Sequence, residues 1–174
     1  MTGVGIVGHR FLQPSAAAFV AQQCHVLLAE LQEQLVEVTA YSAIAEGADS
    51  LFASAALALR IPLEIVIPFT GYEHDFENEP AQNTYRHLQQ AASVKTILPF
   101  TGRSVDAYYQ AMQWVLERSA IVIAVWNGDS SGGRAGTADA VKKIREAGRS
   151  WIHIDINSYT VSRFITNNEG GAKI

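Results

Sequence analysis

The chain has only one cysteine, Cys24, among 174 residues. That excludes an internal disulfide and, with no signal-like start, points to a reducing, cytoplasmic setting. Cys24 lies in an apolar stripe with Val20, Leu27, Leu28 and Leu31, so it reads as a small buried hydrophobe rather than a nucleophile. No apolar run approaches the roughly 20 residues that span a bilayer, and no membrane partner is expected. Charge is sparse too: charged residues make up 17% and the formal net charge is −4. There is no long Lys/Arg cluster. The tightest grouping, Lys142, Lys143 and Arg145, falls on one predicted helix and reads as a solvated face. Nucleic acid is therefore not expected as a partner. The acidic stretch Glu73, His74, Asp75, Glu77 and Glu79 lacks a ligand spacing and reads as a solvated lid. No metal and no cofactor are expected.

Apolar residues make up 48% of the chain, enough for one domain with a substantial core. Short β-branched runs at 3–8, 37–44, 63–69, 94–98, 120–126 and 150–156 alternate with helical patterns at 15–36, 48–60, 80–92, 104–119 and 137–147. Strict alternation implies an α/β, Rossmann-like three-layer αβα sandwich around a mainly parallel sheet of about six strands. Ser15 is the expected cap of the first helix behind Pro14, and Gly148 the expected end of the last. Residues 1–158 read as a single nucleotide-binding domain. Residues 159–174 lose periodicity and read as a C-terminal extension, partly mobile at its end.

The polar and glycine-rich residues fall where the strands end. In a parallel sheet those ends share one edge, which is where open α/β sheets bind ligands. Gly3-Val4-Gly5-Ile6-Val7-Gly8 spells a dinucleotide fingerprint, but its glycines fall inside the strand with no helix directly after, so the match is rejected. Gly8 is retained as a sharp strand end beside a ligand. Arg10 can fork onto a phosphate or carboxylate, and His9 can donate to the same group. The alternative is a structural pair between Arg10 and Glu46 or Asp49. Glu46, Gly47, Ala48 and Asp49 open the second crossover helix, where Asp49 also suits a capping role. The strongest segment runs from Asp129 through Gly132, Gly133 and Gly136 to Thr137. Free amides ahead of a helix dipole cradle phosphate, and Thr137 can cap the helix. The Gly-Lys-Ser/Thr ending of a Walker loop is absent. No nucleophile–base pair is evident. The candidate catalytic carboxylates are Glu46, Asp49 and Asp139.

Val7-Gly8-His9-Arg10, then Ala43 to Asp49, Ile67-Pro68-Phe69, Val125-Trp126-Asn127-Gly128 and Gly136-Thr137 follow in an order that resembles the SLOG superfamily. That group includes the Smf/DprA DNA-processing proteins and the LONELY GUY phosphoribohydrolases. The resemblance covers roughly residues 3–156. It implies a Rossmann-like fold, a nucleotide or ADP-ribose-like ligand, and a homodimer. The phosphoribohydrolases carry Gly-Gly-x-Gly-Thr-x-x-Glu. Matching Gly136-Thr137 puts Arg134 at the second glycine and Ala140 at the glutamate, with Asp139 one residue off register. A sensing or binding role is therefore expected ahead of N-glycosidic cleavage. An assembly module with a vestigial pocket is the remaining alternative.

Overall fold

The computed structural model describes residues 1–131 and 133–166. The expected strands and helices form in order: β1 (Thr2–Gly8), α1 (Pro14–Gln34), β2 (Val38–Ser42), α2 (Ala48–Ala58) and β3 (Leu63–Ile67). A 3-10 turn (Tyr72–Asp75) follows, then α3 (Glu79–Ala91), β4 (Val94–Ile97), α4 (Val105–Arg118), β5 (Ile121–Trp126), α5 (Thr137–Glu146), β6 (Ser150–Asp155) and β7 (Thr160–Phe164). They build one seven-stranded sheet in the order β4-β3-β2-β1-β5-β6-β7. Only the β6–β7 pair is antiparallel.

Two helical layers cover the sheet because the central strands are apolar on both sides. On one face α1 presents Val20, Cys24, Leu27, Leu28 and Leu31, and α2 presents Phe52 and buried alanines, against Val4, Ile6, Ala40 and Ile123. On the other, Met112, Leu116, Val141 and Ile144 of α4 and α5 meet Val7, Val122, Ala124 and Trp151. The glycines of the rejected fingerprint serve this packing. A Cβ on Gly3 would stand 2.0 Å from the Arg118 carbonyl oxygen, and one on Gly5 2.1 Å from Ser119 Oγ. They let the end of α4 lie directly on β1.

Three local expectations change. The stretch after Ser158 carries the seventh strand: β7 pairs with β6, and the rings of Trp151 and Phe164 stack at 4.5 Å. Most of β7 is exposed, so it shows no apolar period for a sequence reading to find. Helix α1 begins at Pro14 with Gln13 at its cap and no side-chain cap bond. Ser15 instead shares a hydrogen bond of 2.9 Å with the Tyr159 hydroxyl, while the Tyr159 ring meets Phe19 edge-on at 5.3 Å. The β6–β7 turn is thus tied to the start of α1. The expected mobile end, residues 167–174, lies outside the described residues, and so does Gly132.

The chain runs outward from β1 through β2, β3 and β4, then returns across the sheet in α4 to place β5 on the other side of β1. This reversal opens a crevice beyond the ends of β1 and β5. The repeated Pro-Phe-Thr-Gly segments at 68–71 and 99–102 end the neighbouring strands β3 and β4. They are laced together by the Thr70 amide, which donates to the Phe100 carbonyl at 3.1 Å. Adjacent strands thus end in alike turns.

Candidate functional site

A cavity of about 350 Å³ fills the crevice, near the lower end of the usual range for small-molecule sites. The end of β1 supplies Val7, Gly8 and Arg10, the start of α2 supplies Asp49, and the loop before α5 supplies Gly133 to Thr137. Helix α4 forms another wall, through Tyr108, Ala111, Met112 and Val115. A polar mouth adjoins the cavity. It is lined by His9, Asn127, Asp129 and Ser131 and shares Gly8, Arg10, Gly136 and Thr137 with it.

Gly8 fits this place for a reason other than a sharp turn. It is still strand, and a Cβ there would come within 2.5 Å of the Ala48 Cβ and 2.8 Å of the Val125 Cβ. Gly47 has φ +83, and a Cβ on it would stand 2.2 Å from the Arg10 carbonyl oxygen. The Ala48 amide donates to the His9 carbonyl at 3.1 Å. Gly47 and Ala48 therefore brace the loop that carries Arg10 and do not line the cavity. His9 Nε2 accepts from the Asn127 amide at 3.2 Å, which leaves the proton of a neutral ring on Nδ1 and ties the end of β1 to β5.

Arg10 is paired, but with neither Glu46 nor Asp49. One terminal nitrogen donates to the Asp75 carbonyl at 2.9 Å and the other lies 3.7 Å from the Asp75 carboxylate. That carboxylate also accepts from the Tyr108 hydroxyl. Among the described residues Arg10 Nε is buried without a partner. The lid segment thus turns one of its acids inward to hold the arginine. Burial pushes the Tyr72 phenol beside this cluster upward, and it pushes Tyr108 to about 12, with the Asp75 hydrogen bond adding to the shift.

Of the three candidate catalytic carboxylates only Asp49 lines the cavity. Glu46 lies in a separate groove between α2 and the start of α3, with Oε2 buried and unpartnered among the described residues. Asp139 accepts from the Ala135 amide at 3.1 Å and lies on the outer side of the loop. At the position where the resemblance would place a glutamate, the cavity wall is Ala140. Asp49 is buried, and desolvation raises its pKa to about 7 against the opposing pull of the Ala45 and Ala43 amides and the Arg10 charge.

The folded state therefore favours the protonated acid. The stability that Asp49 contributes is complete below the unfolded carboxyl pKa of ~4 and is lost as pH rises from there through about 7. Asp49→Asn is expected to flatten this decline. In urea unfolding at pH 4.5 and pH 8, wild type loses on the order of 2–4 kcal/mol relative to the variant. Equal pH dependence in both proteins contradicts the assignment.

Gly136 is the N-cap of α5, and no side chain among the described residues caps the helix. Thr137 is its first helical residue, so the expected threonine cap does not form. The first-turn amides, which an α-helix leaves without internal partners, stand beside the cavity and its mouth, where Gly136 and Thr137 line both. Arg134 straps the loop to α4 by an ion pair of 2.6 Å to Asp106 and by lying 4.3 Å over the Tyr109 ring. Asp129 does not reach into the cavity. The Ser131 amide and side chain hold its exposed carboxyl below the ordinary carboxylate range. The Trp126 indole donates to the Asp129 carbonyl at 2.9 Å.

Sequence reasoning missed the Asp75 contact and the Tyr72, Tyr108 and Met112 surface. An inward acid in an acidic loop carries no local signal. Cavity wall and packed core share one helical period.

No family model and no curated protein matches the chain. Solved structures do. DNA processing protein A (DprA) from Streptococcus pneumoniae superposes with a TM-score of 0.63 at 18% identity over 88% of this chain and 50% of that one. The chain thus spans half the length of that protein. DNA processing protein A from Helicobacter pylori, whose single-stranded DNA binding mode was described with its structure, gives a TM-score of 0.62 at 14% identity over 90% and 70%. The protein TM1055 gives 0.56 at 14% identity over 87% and 72%. No helix among the described residues is long and apolar enough to cross a membrane. The expectation, drawn from the acidic balance, that nucleic acid is not a partner does not hold for this fold. A protein of this fold binds single-stranded DNA, so net charge does not decide the partner. The chain is an α/β protein with the Rossmann-like fold of DprA, the fold that its resemblance to the SLOG superfamily implies.

Proposed function

We propose that the chain binds a nucleotide or nucleotide-derived small molecule in the crevice between β1 and β5, as a sensor or binding protein. One observation carries this reading: a single cavity brings together uncapped helix amides, apolar walls, and a buried carboxylate with a guanidinium. The amide end suits a phosphate. Arg10 does not, since Asp75 already engages it and Asp49 adds an acid to the same cavity. The aliphatic walls, Val7, Ala111, Met112, Val115 and Ala140, suit the faces of a base.

The test is thermal unfolding against AMP, ADP, ATP, GMP, cyclic nucleotides, NAD, ADP-ribose and a short single-stranded oligonucleotide, which offers the same phosphate and base chemistry. A binder at a hundred times its Kd stabilises by about 2.7 kcal/mol, a Tm rise of roughly 5–11 °C for a chain of this size. At least one compound is expected to produce such a rise, and inorganic phosphate alone a smaller one. No shift with any of them contradicts the reading and favours an assembly module.

N-glycosidic cleavage is the alternative that Asp49 alone favours, since an acid titrating near 7 suits general acid catalysis. Chromatography after incubation with nucleoside monophosphates separates the two. Binding without release of free base is expected.

A further inference from the structure

Resting on the nucleotide reading above, we propose that Asp75 is an internal anion that sets the affinity of the site. Its carboxylate holds the Arg10 guanidinium, and a ligand phosphate on the α5 amides takes its place there. Arg10 belongs to the cavity and to its polar mouth, and Gly136 and Thr137 line both as well. The Arg10 side chain keeps 25% of its exposure, whereas that of Asp75 keeps 9% and lines neither space. An arginine beside free helix amides would ordinarily complete a phosphate clamp. Here its charge is already neutralised from within the fold.

The carboxylate is the exchangeable part of this contact. It stands 3.7 Å from a terminal nitrogen of Arg10, beyond the range of a good N–H···O bond. The hydrogen bond it does accept comes from the Tyr108 hydroxyl. A phosphate at the mouth can accept from the guanidinium and from the α5 amides together, in the shorter and stronger bonds of charged partners.

The rest of the contact stays in place. Arg10 also donates to the Asp75 main-chain carbonyl at 2.9 Å, which keeps the guanidinium positioned when the carboxylate turns away. Tyr72 and Phe76 are 2% and 3% exposed and meet edge-on at 5.4 Å. Tyr72 also packs against Tyr85 of α3. The 3-10 turn is thus anchored in the core, and the exchange needs only side-chain rotation at its last residue.

Glu73, on the same turn, differs in every respect. It is exposed and pairs with Arg86 of α3 at 3.4 Å, away from the cavity. Asp75 therefore acts by position, not as one more charge on an acidic segment. Since a ligand gains Arg10 only in the fraction of molecules whose carboxylate has let go, apparent affinity is lowered by that fraction. Asp75 so fixes the nucleotide concentration at which the site fills.

Calorimetric titration of the full chain with AMP, GMP and inorganic phosphate tests the proposal. Asp75→Asn removes the charge but keeps the main-chain carbonyl and an acceptor for Tyr108. With native circular dichroism it is expected to bind about tenfold more tightly than wild type, the effect of losing one like charge close to a phosphate. Glu73→Gln is expected to stay within about twofold of wild type. Adding Arg10→Met to Asp75→Asn should erase the gain. Unchanged or weaker binding by Asp75→Asn, equal tightening by Glu73→Gln, or a gain that survives without Arg10 overturns the role of Asp75 and leaves the nucleotide reading standing. Should Asp75→Asn not fold, wild type labelled with carbon-13 at its aspartate carboxyls decides. The Asp75 carboxyl resonance is expected to shift on the same saturating curve as the Gly136 and Thr137 amides. Amides that shift while this carboxyl does not overturn the exchange. Binding of no nucleotide by any folded form overturns both readings.

Discussion

Gly47→Ala is expected to destabilise the fold by about 3 kcal/mol or more, because strain and overlap act together. Gly47 sits at φ +83, ψ −126, a region that L side chains rarely adopt. Its missing Cβ would lie 2.2 Å from the Arg10 carbonyl oxygen and 2.6 Å from that of His9. Both are backbone atoms, so no side chain can rotate away. The Arg10 loop must move off α2, breaking the Ala48 amide bond to His9. At roughly 2–4 °C per kcal/mol the Tm should fall ~6–12 °C. Gly102→Ala is the matched control, with nothing within 4 Å of its added Cβ, and is expected to stay within about 0.5 kcal/mol of wild type. Equal melting of the two variants contradicts the brace.

The second large effect concerns binding. Gly136→Trp should abolish nucleotide binding, at least ~100-fold in Kd, while leaving the fold intact. Gly136 has φ −80 and ψ 170, extended backbone that any residue adopts. Loss of glycine at a helix cap costs only a modest fraction of the fold's stability. The residue lines both the cavity and its polar mouth, so an indole there occupies ligand volume and covers the first-turn amides. Circular dichroism and calorimetric titration report the two halves of this expectation separately. Wild-type affinity in a folded Gly136→Trp protein would falsify the loop assignment.

The layout of the fold was readable because its signals are local. Alternating apolar periods gave the strands and helices in order, and the sheet rule turned a scatter of glycines and acids into one edge. The site was readable only in outline. Gly8, Arg10, Asp49, Gly133, Gly136 and Thr137 do meet at one cavity. Glu46 and Asp49 look equivalent on paper. Yet Glu46 precedes the helix cap and lies in the separate groove between α2 and α3, whereas Asp49 lies in the first turn and lines the cavity. The Arg10 partner, Asp75, is 65 residues away, and no local pattern singles it out from Glu73, Glu77 or Glu79. Seen from the sequence, Tyr108 and Met112 belong to an ordinary apolar stripe. Only the gap left between α4 and the end of β1 turns that stripe into a wall. The seventh strand was hidden for the opposite reason: it is exposed and offers no apolar rhythm.

The most direct measurement of the central claim is amide shift mapping of the isotope-labelled chain during titration with GMP. Ligand in the crevice is expected to move the amides of Gly8, Arg10, Asp49 and Gly133 to Thr137 together, along one saturating curve. Shifts confined to the α2–α3 groove around Glu46, Ser50 and Thr84, or no shifts with any nucleotide, would contradict it.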